Sequence, residues 1–218
     1  MSEEIKKGLL GIVVDETTIS HVVPELSALT YRGYTVQELC DKCDFEEVAY
    51  LVLNGELPNK SQLKKFIKQE RSERKLSKQI LNDIKKMPRN AHPMDVIRTC
   101  VSLMALEDKD TKDNSPKANM RKAMRIFSQA PTAVAAFFRV RKGKKIIRPN
   151  NKLSFAENFL NMMFGKVPNK EIVRAFEISL ILFSSSSSIS VLLLSSFLYG
   201  MTNIPVSFCT ILVISPSV

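Results

Sequence analysis

Charge is missing from the whole last part of this sequence: no Asp, Glu, Lys or Arg occurs from residue 178 to residue 218, although 25% of all residues are charged. Glu177 is the last charged side chain, and the residues after it are mostly Ser, Leu, Ile, Val and Phe, with the run Ser184 to Ser188 near the start. One compositional rule cannot cover both parts, so residues 1–183 read as one unit and residues 184–218 as another.

Cysteine and histidine are also scarce. The four cysteines, Cys40, Cys43, Cys100 and Cys209, are too few and too irregular for a disulfide framework, which points to a reducing compartment. With only His21 and His92 as histidines and no second cysteine pair, the CxxC spacing of Cys40 and Cys43 cannot complete a zinc site, and no metal is expected. A redox role is poorly placed too, because both cysteines lie on the apolar stripe of a helix rather than at a helix start after a strand. Core packing is the reading this spacing supports. The N-terminus carries two acids, Glu3 and Glu4, and only a short apolar run after them, unlike the basic start and long apolar core of a secretory signal. Both absences lead to a cytoplasmic expectation.

What is present is an ordinary globular composition, 44% hydrophobic over 218 residues. Lys and Arg number 32 against 22 Asp and Glu, and the net charge of +10 falls entirely before residue 178. Such a balance suits anionic ligands, acidic surfaces or nucleic acid, and sign alone does not choose among them. The densest cluster is Arg139, Arg141, Lys142, Lys144, Lys145 and Arg148 around Gly143. It reads first as a solvated loop, second as a phosphate-binding one. Without interleaved aromatic residues to stack bases, no nucleic-acid partner is expected.

Helical periodicity recurs along 1–183. Val36, Leu39, Cys40 and Cys43 fall at i, i+3, i+4 and i+7, with Thr35 as the expected N-cap. Phe45, Val48, Ala49 and Val52 form a second stripe that stops at Asn54-Gly55, with Pro58 just beyond. Leu63, Phe66 and Ile67 mark a third segment, Leu76, Ile80, Leu81 and Ile84 a fourth, and Val96, Cys100, Leu103 and Met104 a fifth that His92-Pro93 opens. Residues 107–118 are polar and aperiodic, an exposed loop, after which Met120, Met124 and Phe127 resume the stripe and Phe137-Phe138 close it. Near the N-terminus the pattern changes. Gly11 to Thr18, Ile19 to Val23 and Leu29 to Tyr34 are short and rich in β-branched or aromatic residues, so a small hairpin is expected. The fold class is all-α with a short N-terminal β-hairpin. Glu46 and Glu47 read as a solvated helix face. His92, at a helix start, reads as an acceptor for free backbone amides rather than as a catalytic base.

Several segments together resemble one known family. Leu29-Thr-Tyr-Arg-Gly-Tyr-Thr-Val-Gln-Glu-Leu-Cys40, Phe45-Glu-Glu-Val-Ala-Tyr-Leu-Val-Leu-Asn-Gly-Glu-Leu-Pro58 and His92-Pro-Met-Asp-Val-Ile-Arg-Thr99 are similar, in order and spacing, to successive signatures of the citrate synthase family. Ala156 to Pro168 and Ala175 to Phe183 extend the resemblance over about residues 5–183, and the His-Pro-Met-Asp-Val form is most similar to bacterial 2-methylcitrate synthases. The resemblance implies a multi-helical large domain, a homodimer, no metal or cofactor, and condensation of acetyl-CoA or propionyl-CoA with oxaloacetate. In the family an Asp and two His perform the chemistry while a third His and several Arg hold oxaloacetate, all beyond the segments matched here. An ungapped comparison places that third His at Ser186, so no catalytic residue is carried over. Lys7 falls near a position where some members set an Arg against the CoA phosphate. In a different branch the loop around His92 helps to bind an inhibitory dinucleotide.

Resemblance and charge are lost at nearly the same place. Residues 184–218 are therefore expected to be a shifted reading frame or a truncation, and this chain to lack activity. The alternatives are a dimerising, non-catalytic helical fragment and a membrane anchor; against the anchor, Ser195-Ser196, Asn203 and Pro205 interrupt the apolar run and no Lys or Arg flanks it.

Overall fold

The computed structural model describes residues 17–23 and 28–184. They begin with three short antiparallel strands, β1 (Ser20–Val23), β2 (Ala28–Tyr31) and β3 (Tyr34–Thr35), in the order β1-β2-β3. The register pairs Ser20 with Tyr31 and Val23 with Ala28 on one side, and Tyr31 with Tyr34 on the other. The expected hairpin is thus a three-stranded meander. Its second turn has Arg32 and Gly33 both at positive φ, 50° and 90°, the conformation a two-residue turn needs to match the twist of its strands. Of the stretch Gly11 to Thr18, the part before Thr17 lies outside the described residues.

Eight helices come next: α1 (Val36–Lys42), α2 (Phe45–Asn54), α3 (Lys60–Glu73), α4 (Lys78–Lys86), α5 (Pro93–Glu107), α6 (Pro116–Arg141), α7 (Phe155–Phe164) and α8 (Lys170–Leu182). The described residues form the all-α architecture the periodicity predicts. Local chemistry sets most of the ends. Thr35 caps α1 by accepting from the Glu38 amide, Asn59 caps α3 through Ser61 and Gln62, and Ser154 caps α7 through Glu157. Gly55 closes α2 at φ 92°, where a side chain would be strained, and its amide donates to the Leu51 carbonyl at 2.8 Å.

The centre of the molecule is α6, which packs against α3, α4, α5 and α7. From Ala130 to Phe137 every residue is buried, whatever its place on the helical wheel. A helix enclosed on all sides needs small residues so that its neighbours can approach, and Ala130, Ala133, Ala135 and Ala136 supply them. Reading α6 as one apolar stripe misses this. Two apolar cores meet on it. The larger joins Tyr31, Leu39, Phe45, Val48, Leu51, Phe66 and much of α7 and α8, while the smaller joins Leu76, Ile80, Ile84, Val96, Cys100 and Phe137.

The loop between α5 and α6 is tied down rather than merely exposed. Arg125 donates to Asp108 twice at 2.7 Å and to Asp110 at 2.6 Å, and Arg121 holds Asp110 at 2.8 and 2.9 Å. Paired guanidinium groups hold the Asp110 carboxyl well below the ordinary carboxylate range, chiefly through hydrogen bonds from Arg121 and Arg125. Among the described residues no helix is long and apolar enough to cross a membrane.

Candidate functional site

Strand β2 and helices α1, α2 and α7 converge on α8. The Tyr31 hydroxyl, wholly buried, donates to the Leu182 carbonyl at 2.5 Å and so ties β2 to the last turn of that helix. Arg174, on one face of α8, donates to the Cys43 carbonyl at 3.3 Å and to the Cys40 carbonyl, satisfying the C-terminus of α1 with a cation where the helix dipole favours one. The same side chain pairs with Glu177 Oε2 at 2.7 Å. Glu177 Oε1 then accepts from the Phe45 amide at 3.3 Å, the first amide of α2.

A second buried carboxylate continues the chain of contacts. Glu46 Oε1 accepts from the Phe155 amide at 2.8 Å, the first amide of α7. Glu46 is 4% exposed, so the solvated face expected for Glu46 and Glu47 is corrected for the first of the pair. Its helix begins where α7 and α8 cover it, and its side chain supplies the acceptor that α7 lacks locally. Glu47 behaves locally, accepting from the Asp44 amide at 2.8 Å to cap its own helix. Burial raises the Glu46 carboxyl above its ordinary range; the Phe155 amide opposes this, and Glu177 and Glu70 add to it.

A folded-state value above the unfolded one gives stability that is fully present below the unfolded pKa and fades as pH rises through the folded one. Glu46→Gln keeps an oxygen for the Phe155 amide and has no charge to desolvate. Urea unfolding across the range should therefore show the variant matching the parent at low pH and exceeding it near neutrality; a gap that narrows with rising pH would contradict this account.

The remaining sequence candidates take structural places. Cys40 and Cys43 are free thiols packed against the larger core, and burial pushes both upward. Cys100 lies in the smaller core, with burial pushing its thiol up to about 11. Among the described residues no cluster of His, Cys, Asp or Glu could hold a metal ion. His92 caps α5, its Nδ1 accepting from the Met94 amide at 3.2 Å, as its place before Pro93 suggests. A depression of about 540 Å³ between the α3–α4 connection, α5 and α6 is lined by Leu76, Met104 and Ile126, but its Arg125 is held by Asp108 and Asp110 and its Ser77 by Glu107. Among the described residues these convergent side chains anchor helices.

Comparison with known proteins decides what this arrangement belongs to. The family model described as "Citrate synthase, C-terminal domain" matches residues 8–196. The chain belongs to the citrate synthase family. It is 48% identical over 183 residues to the citrate synthase of Mycolicibacterium smegmatis, a match that spans 84% of this chain and 48% of that one. It is also 48% identical over 181 residues to the 2-methylcitrate synthase of Mycobacterium tuberculosis, covering 83% of this chain and 46% of that protein. A solved structure of citrate synthase from the archaeon Thermoplasma acidophilum, in a ternary complex with carboxymethyl coenzyme A and oxaloacetate, superposes with a TM-score of 0.78 at 25% identity, over 92% of this chain and 55% of that chain. The chain thus spans about half the length of the curated relatives it matches.

The two positions assigned by resemblance, Lys7 and Ser186, both lie outside the described residues. The described chain stops at Ser184, whose buried hydroxyl donates to the Leu180 carbonyl at 2.8 Å, two residues short of the second of them. What the structure contributes is the anchoring of α8, the helix that leads there. Sequence reasoning missed this because Tyr31 and Leu182 lie 151 positions apart, and no local pattern joins them.

Proposed function

We propose that the protein to which this sequence belongs is a citrate or 2-methylcitrate synthase, condensing acetyl-CoA or propionyl-CoA with oxaloacetate. The observation that carries the reading is 48% identity to both kinds of enzyme over most of this chain. In such a reaction a base removes a proton from the carbon beside the thioester, the enol adds to the ketone of oxaloacetate, and water releases free CoA. No cofactor takes part, and acyl-CoA is a substrate. The described half serves as scaffold, with α8 braced by Tyr31, Arg174 and Glu177 so that the segment after it starts from a fixed point. We further propose a cytoplasmic homodimer.

The 218-residue chain by itself is inactive in this reading. Its two histidines are His21, exposed on β1, and His92, occupied as a helix cap, so neither can supply the donors that the developing enolate requires. Release of free thiol from propionyl-CoA or acetyl-CoA with oxaloacetate should stay at background for the purified chain. Clear turnover by it would show that the essential groups are present after all. A second reading, a dimerising non-catalytic helical fragment, draws on the exposed apolar side chains Phe164, Ile172, Leu182 and Phe183 along α7, α8 and the turn after it. The membrane-anchor reading of 184–218 falls, but for Ser184, outside the described residues.

A further inference from the structure

The densest cation cluster of the sequence finds no acidic partner among the described residues. From Asn114 to Ala156 the chain contains no Asp or Glu. Of the cations in this stretch, Arg121 and Arg125 are paired to Asp110 and Asp108, Arg139 is held by carbonyls, and Arg141 lies 5.8 Å over the Phe137 ring. Lys142, Lys144, Lys145, Arg148 and Lys152 are exposed and have no ion-pair partner among the described residues. Lys166 joins them, because the neighbouring Gly165 lies against this loop, its Cβ position 3.6 Å from Ile147 Cδ1.

The loop that carries these charges is fixed at both ends. At the start Arg139 donates to the Lys145 and Met163 carbonyls, and Gly143, at φ 66°, makes the turn that leaves α6. At the far end Arg74 donates to the Asn150 and Leu153 carbonyls at 3.0 Å each, and the Asn150 amide donates to Asn158 at 2.7 Å. Ile146 and Ile147 pack against the two cores between these anchors. Along the stretch 144–150 there is neither helix nor strand, and the amides from Lys145 to Arg148 make no hydrogen bond among the described residues.

We propose that residues 142–152, with Lys166, form a docking strip for an extended acidic polypeptide segment. Charge complementarity selects an anionic partner. The free amides select a peptide, whose carboxylates and carbonyls can use them, over a duplex read through its phosphates. A single nucleic-acid strand is disfavoured because no aromatic residue lies in the strip to stack its bases. Because the strip is already anchored, little backbone freedom has to be lost on binding.

The test is fluorescence anisotropy of a labelled poly-glutamate peptide with the full chain, compared with oligothymidine and with phosphatidylserine vesicles. Binding of the peptide is expected, weakening steeply between about 50 and about 200 mM salt as screening shortens the reach of these charges. Lys144→Glu with Lys145→Glu should weaken it about tenfold, whereas Lys64→Glu with Lys65→Glu on the exposed face of α3, an equal change in net charge, should leave it nearly intact. Arg148→Glu gives an independent reading if the first pair alters the far-UV circular dichroism. No peptide binding, equal loss in both charge-reversed pairs, or a clear preference for oligothymidine or vesicles would overturn the proposal. None of these outcomes touches the synthase reading, which rests on the identity to known synthases.

Discussion

Replacing Arg74 by Ala is expected to destabilise the protein by about 3–5 kcal/mol, a large share of the roughly 5–15 kcal/mol that holds a domain folded. Arg74 and Glu70 are both 1% exposed and are joined by two hydrogen bonds of 2.8 and 2.7 Å. The guanidinium also donates to the Asn150 and Leu153 carbonyls, and the Arg74 carbonyl accepts from Thr132 at 2.8 Å. One residue therefore joins α3, the loop before α7, and the centre of α6. Removing the cation leaves a buried carboxylate and two carbonyls without their donors.

Burial already raises the Glu70 carboxyl, against the pull of Arg74. Loss of Arg74 removes that pull, so the folded value rises further above the unfolded one. By the same sign as for Glu46, the stability deficit of the variant should grow as pH rises and shrink in mild acid, where the carboxyl takes a proton. Glu70→Leu with Arg74→Met should be much closer to the parent than Arg74→Ala alone, because neither partner is then left as an uncompensated charge. Urea melts at two pH values measure all three. An Arg74→Ala loss under about 1 kcal/mol would falsify the claim that this pair is sealed from water.

Phe159→Ala is expected to cost a similar amount, about 3–5 kcal/mol. The ring is 0% exposed and stacks on Phe176 of α8 with centroids 5.2 Å apart and planes 13° from parallel. It belongs to the same core as Phe45, Phe127 and Phe155, themselves in ring contact at 4.8 to 6.0 Å. Truncation would leave a cavity between α7 and α8 that close-packed neighbours can only partly fill. Phe164, on the same helix but 40% exposed, gives the contrast: its truncation should change stability by no more than about 0.5 kcal/mol. Equal losses for the two variants would mean that α7 does not pack on α8 through Phe159.

The Phe159 effect concerns how α8 is held, whereas the Arg74 effect concerns how α3 is joined to α6 and to the loop before α7. Loss of the Phe159 contact acts on the flank of α8, and loss of Tyr31 or Glu177 would act on its C-terminus and on the start of α2.

The helices are legible in the amino-acid order, because their signals are local. The i, i+3, i+4 stripes of α1 and α2, the cap Thr35 and the stop at Gly55 each depend on residues a few positions apart. His92 is legible as an amide acceptor for the same reason. Which charged residues lie inside is settled by packing instead. Glu46 accepts from Phe155 across 109 positions and Glu177 from Phe45 across 132, and these contacts turn residues that belong on a wetted helix face into buried acceptors for other helices. Such pairings arise because a helix start leaves amides unsatisfied, and a buried start must find an acceptor wherever the packing brings one. Periodicity describes a helix against water. It carries no record of the neighbour that replaces the water.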